Sequence, residues 1–187
     1  MKVVVLVGPE SSGKSWLAQE LHTHFGGLMI GEYARYFIEY YQRDITLADV
    51  PAIARGQLGW EDTARAEQPA LLILDTHLLN NRLWGQTLFG YYPAWLDDEL
   101  LARYYDLHLL LSPDDVEWTA DGQRCQPELT DRRTFFHGSL NWIKQHQQPV
   151  VLICGNWEER SAIAFAAVEQ LLSSTLKRSA KKKCVPV

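Results

Sequence analysis

The sequence has no apolar run near the roughly 20 residues that a bilayer-crossing helix needs. Its first hydrophobic stretch, beginning at Lys2, is far too short for a signal-peptide core. Stable membrane insertion is therefore not expected, and a cytoplasmic location is. Cysteine is scarce: Cys125, Cys154 and Cys184 are widely separated and odd in number. No Cys–His ligand spacing occurs among them and the six histidines, which argues against a zinc cluster or a disulfide framework and suits a reducing compartment. A basic excess is also lacking. With 18 Lys and Arg against 23 Asp and Glu, the formal net charge is −5, so nucleic acid is not an expected partner. Internal repeats and linker-like stretches are missing too, leaving 187 residues for one domain with a sizeable core. Only the end departs from this pattern. "LKRSAKKKCVPV" carries five cations and no acid. The expected organisation is a single domain over 1–175 and a basic, flexible tail over 176–187.

What is present is concentrated near the start. "VVVLVGPESSGKS" joins an unbroken apolar run to a glycine-flanked turn. It fits G-x-x-x-x-G-K-[ST] at Gly8, Gly13, Lys14 and Ser15. Such a loop curls so that backbone N–H groups, aided by the positive end of the next helix, cradle phosphate oxygens. Lys14 is the candidate for the β- and γ-phosphates and Ser15 for Mg²⁺. The expected phosphate-binding set is Gly8, Glu10, Ser11, Ser12, Gly13, Lys14, Ser15 and Trp16, and the expected ligand is ATP. Leu17, Leu21 and Phe25 then recur at helical spacing.

Strands and helices alternate along the rest of the chain. "ALLILDT", "DLHLLLSP" and "PVVLICG" read as buried strands, and "GLMI" as a short one that leads into a charged, aromatic turn. Asp49 before Pro51 marks a helix start, and Thr130 is the expected cap of a later helix. Continuous apolar strands separated by helices predict a parallel sheet covered on both faces. Ligands then bind beyond the carboxyl ends of the strands.

Four groups of residues gather at that edge. Asp75 ends a buried strand, the position of a carboxylate that holds Mg²⁺ or orients an acceptor hydroxyl. Glu32, Tyr33, Arg35 and Tyr36 in "GEYARY" follow the short strand and are candidates for acceptor binding, the tyrosines by stacking on a flat ring. "EWTADGQRCQPELTDRR" places Arg124, Arg132 and Arg133 on a polar segment with Gly122 as a hinge. This reads as a lid, with Arg124 the candidate to stabilise charge on the transferred phosphoryl group. Asn156 and Trp157 in "CGNWEER" are candidates for contact with adenine.

Together, "GPESSGKS", "GEYAR", "IARGQ", "LDTHLLNNRLW", "LLLSPDDVEWTADGQR" and "GNWEER" resemble the ribosylnicotinamide kinase domain of NadR-type proteins, from Lys2 to about Leu172. The resemblance implies a P-loop NTPase fold of nucleoside-kinase type, with a five-stranded parallel sheet, helices on both faces and a lid. It implies ATP-dependent phosphorylation of nicotinamide riboside to nicotinamide mononucleotide, with small-molecule substrates. Neither an adenylyltransferase-like segment nor a helix-turn-helix precedes the loop, so only the kinase activity is expected. One departure stands out. The family pattern after the third strand is commonly D-T-D, whereas this chain has Asp75-Thr76-His77. His77 is therefore expected near the acceptor, where its protonation would repel a cationic ring and make activity rise between about pH 5.5 and 7.5. A kinase of another nucleoside or small hydroxyl compound, or a nucleotide-dependent regulatory ATPase, shares the same loop. No feature of the sequence sets an oligomeric state.

Overall fold

Lys2–Val7 forms strand β1, the middle of a five-stranded sheet. From Val3 onward its side chains have no polar atoms to satisfy, so it can be covered on both faces, and Val4 to Val7 are fully buried. The computed structural model describes residues 1–182, with side chains through Ser173. The other strands are β2 (Leu28–Ile30), β3 (Leu71–Asp75), β4 (Leu107–Leu111) and β5 (Val150–Ile153). All pair in parallel, in the order β2-β3-β1-β4-β5. The neighbours of β1 are thus β3 on one side and β4 on the other. Chain crossovers leave on opposite sides there, which opens a crevice beyond the end of β1. Lys2 and Asp106 form an ion pair at 2.7 Å, and Asp106 also accepts the Val3 N–H, fixing the approach to β4 against β1.

Two apolar layers cover the sheet. One face packs on α1 (Lys14–Phe25) and α7 (Trp157–Lys182), through Leu17, Leu21, Ala164 and Val168 against Val4, Leu6 and Leu109. The other carries α3 (Val50–Ala66), α4 (Leu78–Phe89), α5 (Trp95–Ala102) and α6 (Leu129–Gln145), with Leu83, Leu96, Phe135 and Ile143 against Val3, Val5 and Leu74. No helix among the described residues is long and apolar enough to cross a membrane.

Two local expectations are corrected. The turn after β2 is a helix, α2 (Tyr33–Tyr41), which buries Phe37. Thr130 does not cap α6: the helix begins at Leu129 and Glu128 stands at the cap position. Asp49 stands at the cap position of α3 ahead of Pro51, as expected, but its carboxylate makes no cap bond to that helix. It accepts from the Thr46 N–H and hydroxyl and from Arg43, closing the short 3₁₀ turn Leu47–Asp49 before Pro51. As for the expected tail, α7 continues through Lys182, and residues 183–187, with Cys184, lie outside the described residues.

One polar side chain crosses the layers. Arg160, at the start of α7, is fully buried. Its Nε donates to the Gly155 carbonyl at 2.7 Å, Nη1 to Ser12 at 3.1 Å and Nη2 to Ser112 at 2.9 Å. It joins the phosphate-loop sequence, the end of β4 and the turn after β5. Arg160→Met keeps an unbranched apolar side chain of comparable length but leaves three carbonyls without their donor. Charge-assisted bonds contribute about 1.5–3 kcal/mol each, non-additively. We expect a loss of about 3 kcal/mol in urea unfolding; a loss under about 1 kcal/mol would show that the carbonyls find other donors.

Candidate active site

The loop between β1 and α1 has the backbone that its sequence calls for. Gly8 (φ +147) passes so close to β4 that a Cβ would sit 2.8 Å from the Leu111 carbonyl oxygen. At Gly13 (φ +88) a Cβ would run into the Trp157 ring. Ser11, a non-glycine, is also left-handed at φ +55. Ser12 Oγ and Lys14 Nζ both donate to the Pro9 carbonyl, at 2.8 and 2.7 Å. Lys14 is buried. Burial pulls its pKa down, while Glu32 and Asp75 act to keep it charged.

Asp75 ends β3, level with Leu6 in the sheet register. It is 5% exposed, and its Oδ1 has no hydrogen-bond partner. Burial pushes its carboxyl pKa up and Glu32 adds to this, against the pull of Lys14 and a hydrogen bond from Ser15. The next residue, Thr76, has φ +83, a costly geometry for a β-branched side chain. This turn takes His77 away from the site. His77 is fully buried with its ring edge-on to Tyr105 at 4.8 Å and 5.3 Å from His108. Its expected role at the acceptor is therefore corrected: it is a core residue.

The polar segment between β4 and α6 folds over the phosphate loop. Glu10, the loop's acidic residue, accepts from Trp118 Nε1 at 2.7 Å and from the N–H groups of Cys125 at 3.0 Å and Gln126 at 2.7 Å. Ser11 Oγ donates to the Glu117 carbonyl and accepts the Thr119 N–H. These two side chains hold the lid rather than face a phosphate, so only their backbone remains for that role. Arg124 donates to the Thr119 carbonyl at 2.5 Å and reaches Ser11 Oγ at 3.4 Å. Of the other lid arginines, Arg132 is buried and Arg133 is exposed, paired with Asp114 at 2.6 Å.

Loop, lid and the α2–α4 helices enclose a cavity of about 370 Å³. Lys14, Ser15, Trp16 and Trp157 line it from the phosphate loop and the start of α7, together with Glu32, Arg35 and Arg124. The lining from α2, α3 and α4 is apolar and aromatic, with Ile38, Ile53, Trp84 and Phe89, and carries Asn81. Trp16 and Trp157 meet edge-on at 4.9 Å, both partly exposed.

Gly8, Asp75, Tyr33, Tyr36 and Asn156 do not line this cavity. Tyr33 packs edge-on against Trp60 at 4.8 Å, over Gly56, and Tyr36 lies 5.5 Å from the same ring. Helical spacing carries them to the outer side of α2, away from Arg35. Asn156 caps α7 by accepting the Glu159 N–H at 3.0 Å, and Glu159 returns a bond to the Asn156 N–H. Trp84, Phe89 and the structural Arg160 escape a motif-based reading. Glu10 left a readable signal, because a carboxylate is out of place among groups that meet phosphate.

Comparison with known proteins gives the same fold. A family model described as an AAA domain matches residues 3–160. The trifunctional NAD biosynthesis/regulator protein NadR of Salmonella typhimurium is 24% identical over 150 residues, covering 78% of this chain and 36% of that protein. The chain spans about a third of the length of the curated relatives it matches. A solved NadR structure in complex with NR superposes with a TM-score of 0.71 at 22% identity, covering 92% of this chain and 52% of that one. Deoxyadenosine kinase from M. mycoides with bound dATP gives 0.61 at 15% identity, covering 90% of this chain and all of that one. The P-loop fold is thus that of nucleoside kinases.

The histidines generate a pH dependence of stability rather than of substrate binding. Burial pushes the His77 pKa well below 6.5, with His108 and Arg65 adding to the shift, and burial brings His108 to about 4. Unfolded, both titrate near 6.5. Below that value the unfolded chain binds more protons, so stability is full above about pH 7 and falls as the pH drops toward 4. His108 alone accounts for about 2 kcal/mol between pH 7 and 5. Urea midpoints measured across that range should fall, and His108→Gln should flatten the slope; an equally steep slope in the variant would assign the dependence to other groups.

Proposed function

Because the chain belongs to the AAA domain family, we propose that it is an ATP-dependent kinase that phosphorylates the 5′-hydroxyl of nicotinamide riboside. The observation that carries this reading is one cavity lined both by phosphate-loop groups and by an apolar and aromatic set from α2, α3 and α4, with Glu32, Arg35 and Arg124 in the same lining. A water-directed ATPase does not need the second set. The likeness to NadR proteins, one of them solved with NR, supports the choice of acceptor.

In this reading the backbone amides from Gly8 to Ser15 hold the β- and γ-phosphates of ATP, with Lys14 supplying a buried positive charge. Adenine packs against the Trp16 and Trp157 side, where two part-exposed rings meet. Mg²⁺ suits the donor set: the Ser15 hydroxyl, and the Asp75 carboxylate with its unpartnered buried Oδ1. Bound there, the ion would neutralise phosphate charge. Asp75 and Glu32 are the two carboxylates available to orient the acceptor hydroxyl and accept its proton. Arg124 stabilises charge on the transferred group, and the lid excludes water.

The acceptor's pyridinium ring is assigned to Trp84 and Phe89, replacing the tyrosines. A cation over such a face is worth about 0.5–2 kcal/mol. His77, buried behind Thr76, does not repel it.

Two outcomes test the reading. With ATP and Mg²⁺, nicotinamide riboside should exceed uridine, cytidine and adenosine in kcat/KM; a clear win by a neutral nucleoside would keep the kinase and discard this acceptor. Lys14→Ala should cut kcat by about 10²–10³-fold in a folded protein, the scale of removing one preorganised transition-state contact. Near-normal turnover would take the loop out of the mechanism.

A further inference from the structure

Arg124 is not free to turn as it would in an ordinary surface loop. Asp121, three residues earlier, contacts it through both carboxylate oxygens. Oδ1 accepts the N–H groups of Gln123 and Arg124, each at 3.0 Å. Oδ2 lies 3.1 Å from Arg124 Nε. Gly122, at φ +82, lets the chain make this tight turn. Asp121 is itself anchored from across the cavity: Arg35 Nη1 donates to the same Oδ2 at 2.8 Å, while Arg35 Nε reaches Glu32 at 3.3 Å. A chain of alternating charge therefore runs Glu32–Arg35–Asp121–Arg124 and ends where Arg124 meets Ser11 of the phosphate loop.

A long arginine side chain on a glycine-containing loop has many rotamers, and only a few direct it at the phosphate loop. Orientation alone is worth a large factor in rate when the group must meet charge in the transition state. We propose that Asp121 is a positioning residue that orients Arg124 for phosphoryl transfer, with Arg35 fixing Asp121 from the acceptor side. The inference rests on the kinase reading above. It assigns Asp121 no contact with either substrate. It also makes Arg35 bifunctional, because one guanidinium addresses both the acceptor-side Glu32 and the lid.

Asp121→Asn is the discriminating variant. The amide oxygen can still accept the two backbone N–H groups, so the turn keeps its cap while the charge is lost. We expect kcat for nicotinamide riboside to fall about tenfold, with the KM for ATP within about twofold of wild type. In the Arg124→Ala background, Asp121→Asn should cost nothing further, because its effect passes through the missing guanidinium. A merely structural role would multiply the two losses. The protein alone supplies a readout independent of the reaction: freeing Arg124 should speed tryptic cleavage after it by roughly fivefold, the scale of one released ion pair. The proposal is overturned if Asp121→Asn leaves kcat within twofold of wild type, or if its loss multiplies that of Arg124→Ala. Should wild type phosphorylate no nucleoside, the kinase reading fails, and unchanged cleavage after Arg124 in Asp121→Asn would then overturn the positioning role as well.

Discussion

Buried charge has to be answered, and at the carboxyl edge of this sheet three side chains raise that demand together. Lys14, Asp75 and Arg160 are each 9% exposed or less. A desolvated ion without partners is too costly to persist, so its surroundings are shaped by what it requires. Arg160 takes three carbonyls from three separate segments, which sets the turn after β5 against the phosphate loop. Lys14 draws the Pro9 carbonyl inward and thereby tightens the loop around its own head group. Asp75 retains an unpartnered oxygen. That asymmetry separates a residue that completes the fold from one that keeps capacity for a ligand.

The lid follows from the same demand. Glu10 lies in a loop built to collect anions, where a free carboxylate would oppose the ligand's charge. Three donors from the lid engage it. The loop's least suitable residue thus becomes the anchor for the segment that covers it, and its carboxylate is withdrawn from the phosphate field. Arg124 is brought toward Ser11 by that anchoring as well as by its neighbour Asp121.

The sheet and the phosphate loop were legible because they rest on strong local signals. Five apolar residues before a glycine motif admit few alternatives, and Asp75 is marked by the end of its strand. The helix α2 was less legible, since Tyr33, Tyr36, Phe37, Tyr40 and Tyr41 favour strands about as well as helices. What makes it helical is tertiary: Phe37 is buried, and Tyr33 and Tyr36 find Trp60, 24 residues or more along the chain. His77 was misread for a conformational reason. A family-like D-T-x pattern implies that its third residue points with the first, but Thr76 at φ +83 turns it into the core. The apolar lining of the cavity draws on side chains from α2, α3 and α4 that share no motif, and their convergence exists only once the helices pack. Arg160 carries no sequence signal, since no short-range pattern reveals that its donors meet Ser12, 148 residues away.

That last separation has a consequence for how the molecule comes into being. Synthesis proceeds from the amino end, so the glycine-rich loop leaves the ribosome well before α7, which carries the guanidinium that fixes it. A nascent chain that has made its first four strands still lacks the clamp on Ser12. Competence to bind nucleotide tightly would be acquired late, once the start of α7 has emerged. Prematurely terminated products would carry an intact glycine motif yet compete poorly for cellular ATP.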